Sequence, residues 1–186
     1  MKKLKTEIKL SNPGPLGLLG FGMTTVLLNL HNAGFISMSV VIVAMGFALG
    51  GAAQIIAGIF ELKQGNTFAG TAFTAYGFFW WSLVFILYFP KEGFEPDPTS
   101  MGFYLLIWGV FTLFMFIGTF SHNRITQIVF GSLTVLFLLL AIGDFTGLAW
   151  VTTIAGYVGL ICGLSAIYSA VGQVVNAELG KTIFPL

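Results

Sequence analysis

The chain has 186 residues, 56% hydrophobic and only 8% charged, with a formal net charge of +1. So apolar a composition leaves almost nothing for a soluble domain, and no nucleic-acid partner is expected. The one cysteine, Cys162, excludes an internal disulfide.

Between Lys9 and Glu61 the only ionisable side chain is His31, and that stretch is long enough to cross a bilayer twice. Apolar blocks of about 17 to 25 residues match the span a helix needs to cross roughly 30 Å of hydrocarbon. Six such blocks are predicted, at 15–32, 37–60, 67–89, 102–120, 125–143 and 149–174. The fold class is therefore an all-α integral membrane protein with six transmembrane helices, residues 1–186 forming one domain. Lys2, Lys3, Lys5 and Lys9 lead into the first block without a small-residue cleavage site, so that block is expected to remain as a membrane span.

Basic residues set the orientation. With the amino terminus in the cytoplasm, Lys2, Lys3, Lys5, Lys9, Lys63, Arg124 and Lys181 lie inside and Lys91 alone lies outside. Segments 1–11 and 175–186 are then cytoplasmic, and 90–101 is an acidic, proline-rich outer loop. Three spans on each side of that loop would run in opposite senses, the arrangement of a 3+3 inverted repeat. A weak internal echo accompanies it: Phe21-Gly22-Met23-Thr24-Thr25 against Trp108-Gly109-Val110-Phe111-Thr112, and His31-Asn32 against His122-Asn123.

Small residues fall in stripes. Gly46, Gly50, Gln54 and Gly58 recur every four residues in the second block, and Gly156, Gly159, Gly163, Ala166 and Ala170 alternate threes and fours in the sixth. Such stripes let helix backbones approach closely, within or between subunits, and leave room for a path beside a neighbouring helix; Ala166 is counted with the lining of such a path. Polar residues inside a membrane are costly and nominate further lining positions: Thr24 and Asn32 in the first block, Gln54 in the second, Thr74 in the third and Tyr157 in the sixth. A threonine can equally satisfy itself on the carbonyl one turn back.

No lysine or arginine stands in the middle of any block, so an anionic substrate would meet hydroxyls, amides and aromatic edges. Binding would then be weak and transit fast, as conduction requires. Enzyme chemistry has no foothold. His31 and His122 belong to opposite membrane faces, and the sequence holds no Cys/His cluster, HExxH or GxSxG motif. No cofactor and no metal are expected. The cytoplasmic segments are too short to dock a scaffold or signalling partner.

The runs Asn12-Pro13-Gly14-Pro15-Leu16-Gly17-Leu18, Phe21-Gly22-Met23-Thr24-Thr25, Gly50-Gly51-Ala52-Ala53-Gln54, Gly65-Asn66-Thr67-Phe68 and Thr71-Ala72-Phe73-Thr74-Ala75-Tyr76-Gly77 resemble those of the acetate uptake transporters, the succinate-acetate permease group. The resemblance continues through Ala155-Gly156-Tyr157 and Ala166-Ile167-Tyr168 and departs at Gly14 and Ala75, where alanine or valine and serine are usual. It implies a six-helix protomer with both termini cytoplasmic, one pathway per protomer and a homohexamer in the plasma membrane, the inner membrane in a Gram-negative cell. It also implies uptake of acetate and related short carboxylates, succinate among them, through a mid-membrane ring. Carried over by motif, the ring is Phe21, Tyr76 and, in Phe130-Gly131-Ser132-Leu133-Thr134, Leu133.

Elementary electrostatics favours proton coupling. An anion entering a cell that is negative inside works against about 2.3 kcal/mol per 100 mV, and dehydrating its charge in an apolar constriction adds several more. One accompanying proton removes both penalties. Glu61, one heptad beyond Gln54, is the candidate coupling carboxylate, with Asp144 the other acid near the pathway and an interfacial role beside Lys63 the alternative for Glu61. The competing function is a passive channel for small neutral solutes such as urea.

Overall fold

The computed structural model describes residues 11–186, so the expected cytoplasmic placement of Lys2, Lys3, Lys5 and Lys9 lies outside the described residues. Six long helices carry the fold: α1 (Gly14–Asn32), α2 (Val40–Lys63), α3 (Thr67–Tyr88), α4 (Pro98–Gly118), α5 (Arg124–Thr146) and α6 (Ala149–Leu179). No β-strand occurs among the described residues. The five helices from α2 to α6 are each long and apolar enough to cross a membrane. α1, with 19 residues, spans about 28 Å at 1.5 Å per residue, but its glycines and its Thr24, Thr25 and Asn29 dilute its hydropathy. It buries those three polar residues against its neighbours.

The helix ends differ from the sequence expectations where capping chemistry decides them. α4 starts at Pro98, not 102, because the Asp97 side chain accepts from Ser100 N at 3.0 Å and proline occupies the first helical position. The Ser100 hydroxyl also donates to this carboxylate, and together these bonds hold the Asp97 carboxyl below its usual pKa. Asn66 and Asn123 cap α3 and α5 in the same way, accepting from Ala69 N and Thr126 N. α5 and α6 outrun their expected ends and stop at Gly147 and Gly180, whose φ of 68° and 63° suits glycine at a helix terminus.

α2 is not uniform. Its middle, Gly46–Ala53, is wound as a π-helix, the wide form that is rare outside functional or packing sites. Side chains reach the carbonyls at its start: Trp81 Nε1 donates to Phe47 O at 3.0 Å, and Thr24 Oγ1 lies 3.3 Å from Met45 O.

Both small-residue stripes are used within the protomer. A Cβ at Gly163 would lie 2.8 Å from Gly22 O and 2.9 Å from Val26 N, so α6 and α1 touch backbone to backbone. A Cβ at Gly50 would lie 2.7 Å from the Trp80 ring, which nests α3 against the π segment. The buried core gathers around Tyr76, whose ring has Phe21, Trp108, Phe111 and Phe130 at centroid distances of 5.6 to 6.3 Å.

Candidate transport pathway

The odd-numbered helices α1, α3 and α5 run in the same direction, and each presents one residue of the expected ring: Phe21, Tyr76 and Leu133, all under 7% exposed. Two cavities meet there. A vestibule of about 250 Å³ lies on the side of the 33–39, 89–97 and 147–148 turns. A void of about 20 Å³ lies on the side of Ser11 and Leu186. Phe21, Tyr76 and Leu133 border both, and no other described residue does. The three therefore form a mostly apolar partition between the cavities.

Helical periodicity builds the vestibule from the ring outward. On α1, Thr25, Leu28 and Asn32 follow Phe21 at four, seven and eleven residues; on α5, Leu136, Leu140 and Asp144 follow Leu133 at three, seven and eleven; on α3, Trp80 and Leu83 follow Tyr76 at four and seven. Polar groups collect at the mouth, where His31, Asn32, Asp144 and Thr152 stand, while the deeper wall is mostly apolar. A hydrogen-bond ladder stiffens the α1 side: Asn32 Nδ2 donates to Asn29 Oδ1 at 3.1 Å, and Asn29 Nδ2 donates to Thr25 O at 2.8 Å. Deeper in, Thr25 Oγ1 and Trp80 Nε1 are buried with no partner among the described residues.

The remaining sequence-nominated residues divide by position. Asn32 borders the vestibule and Gln54 the void. Thr24, fully buried, turns toward α2 and donates to Gly20 O at 2.8 Å; Thr74 packs at Gly58 on the α2–α3 contact. Ala166 is fully buried in the core, and Tyr157, half exposed, meets Phe35 edge-on at the surface. None of these four borders either cavity, because each lies on a helix face turned away from the α1–α3–α5 axis. Glu61, 5% exposed, accepts from Asn66 Nδ2 at 2.7 Å and lies beside Gly14 at the α1 amino terminus, where the helix dipole favours a carboxylate. It borders neither cavity.

Trp80, Phe79 and Leu136 line the vestibule as well, although none of them stands out in the sequence as a polar membrane residue. Their signal was available as the continuation, at helical spacing, of the faces that carry Tyr76 and Leu133.

The chain is similar to proteins of known name and structure. The succinate-acetate/proton symporter SatP of Escherichia coli K12 is 57% identical over 180 residues, covering 96% of both chains. Acetate permease A of Emericella nidulans is 31% identical, covering 96% of this chain and 66% of its own. The solved structure of the bacterial acetate channel SatP superposes with a TM-score of 0.93 at 57% identity, over 96% of this chain and 99% of that one. A family model matches residues 2–185. On these grounds the chain, a multi-pass membrane protein built for transport rather than catalysis, belongs to the GPR1/FUN34/yaaH family.

Proposed function

We propose that this protein carries acetate and related short carboxylates, succinate among them, across the cell membrane with an accompanying proton, each protomer holding its own pathway. The observation that carries this is the partition: a vestibule large enough for a small carboxylate ends at three side chains that alone border the void beyond. The similarity to proteins named for acetate and succinate transport supports the choice of substrate.

In this reading a carboxylate gathers in the vestibule, where asparagine and threonine side chains, not lysine or arginine, meet it, and it crosses the ring with its charge neutralised. Acid groups at the two ends, Asp144 at the vestibule mouth and Glu61 near the α1 amino terminus, are the proton-exchanging candidates. The vestibule faces the medium and both chain ends face the cytoplasm, as the distribution of basic residues favours. A homohexamer places six such pathways side by side, and the exposed apolar residues of α4, Phe103, Ile107 and Phe114 among them, suit contact with lipid or with a neighbouring protomer.

Radiolabelled acetate uptake into proteoliposomes, with and without an imposed inward proton gradient, tests the proposal. Uptake should exceed that of protein-free vesicles and rise with the gradient. Urea uptake without acetate uptake would instead favour a neutral-solute channel.

A further inference from the structure

Gln54 is fully buried, and neither Oε1 nor Nε2 of its amide has a hydrogen-bond partner among the described residues. Burying a primary amide unpaired works against folding, and leucine or methionine has a similar volume without that cost. Gln54 is among the residues that line the small void just past the ring, and of the other side chains there only Tyr76 has a polar atom. That hydroxyl is already committed to Thr112 Oγ1 at 2.9 Å. Among the described side chains lining that void, Gln54 thus carries the one polar group without a partner.

We propose that Gln54 recognises the transported carboxyl group in its protonated form, through a two-bond pair between its side-chain amide and the acid. This rests on the transport function proposed above and assigns its chemical selectivity to one residue. A neutral carboxylic acid complements a primary amide at both ends: the amide N–H donates to the acid carbonyl, and the acid O–H donates to the amide oxygen. A carboxylate gains only the first bond, sets its second oxygen against the amide oxygen, and brings an unpaired charge into an apolar void. Of the groups facing Gln54 from α1, α3 and α5, Tyr76 alone is titratable, so no neighbouring cation offsets that charge. The proton must therefore travel on the substrate at this point. A void of about 20 Å³ is of the size that holds one water, so an acid reaches Gln54 only as Phe21 and Leu133 give way, and pairing with the amide compensates the opening.

The test uses three solutes in proteoliposomes, with protein-free vesicles subtracted. Acetate supplies the acid; acetamide presents the same donor and acceptor at every pH; trifluoroacetate, similar in size, stays an anion throughout. Wild-type protein should carry acetate and acetamide and leave trifluoroacetate at background. Gln54→Leu and Gln54→Met remove an unpaired buried amide, so both should fold at least as stably as wild type. Each should lose about tenfold of acetate and acetamide flux alike, the loss expected when two net hydrogen bonds disappear. Variants that carry both solutes at the wild-type rate, or trifluoroacetate passing as readily as acetate, would overturn the assignment while leaving the transport function standing. Wild-type vesicles without acetate uptake would overturn both.

Discussion

The Tyr76 hydroxyl lies 2.9 Å from Thr112 Oγ1, buried between α3 and α4. Thr112 spends its own proton on Trp108 O at 2.7 Å, so Tyr76 is the donor. A backbone carbonyl on α4 thus fixes, through one threonine, the ring that partitions the two cavities.

That direction makes the two partners unequal. Thr112→Val strands the Tyr76 hydroxyl and should cost about 1–3 kcal/mol, whereas Tyr76→Phe leaves Thr112 bonded to Trp108 and should cost about 0.5–1.5 kcal/mol. Thermal unfolding in detergent measures both. Equal losses, or a larger loss for Tyr76→Phe, would contradict the assigned donor.

The α1–α6 contact predicts a contrast between two glycines. Gly163→Ala sets a Cβ against the backbone of Gly22 and Val26 and should destabilise by about 1–3 kcal/mol. At Gly109 the nearest atom is the flexible Leu138 Cδ2 at 3.1 Å, so alanine there should be close to neutral, its better helix propensity offsetting the contact. Because Gly163 faces α1 of the same chain, Gly163→Leu should lower the yield of folded protein and leave the subunit number of the surviving fraction unchanged. Size-exclusion chromatography of the variants reads both quantities.

Orientation has a direct assay. Gly93 adopts a φ of 77°, which a substituted cysteine would strain, but the adjacent Phe94 is 84% exposed at the loop tip. Phe94→Cys should react with an impermeant maleimide on intact cells, and Cys162, fully buried, gives no background. Labelling only after the membrane is permeabilised would reverse the orientation.

Much of this architecture was legible in the sequence because membrane spans announce themselves by length and charge. The ends were less so. The start of α4 depended on the Asp97 cap and on Pro98, and those residues lay inside what reads as a polar loop. The π segment of α2 left no signal beyond a dense run of glycine and alanine, since a widened turn keeps the same composition. The ring came through motif resemblance, and its geometry is independent of that source. Polar lining was harder to foresee. Thr24 and Thr74 have the same chemistry as Thr25, and only the packing of α2 decides that the first two turn from the pathway and the third toward it. Trp80 is hard to nominate because an indole reads as apolar core, although it lines the vestibule and its buried N–H has no partner among the described residues.

The ring is the centre of the account, and substrate size is the quantity it controls. Leu133→Ala removes the least rigid of the three side chains at a cost of about 2–5 kcal/mol, so folded protein must be verified first; Phe21→Ala and Tyr76→Ala extend the series. The decisive measurement is the ratio of lactate to acetate uptake by Leu133→Ala in proteoliposomes, set against the wild-type ratio. A partition formed by these residues predicts that the ratio rises severalfold, because the wider ring admits the larger acid. Lactate and acetate uptake falling together at an unchanged ratio, in correctly folded protein, would contradict it.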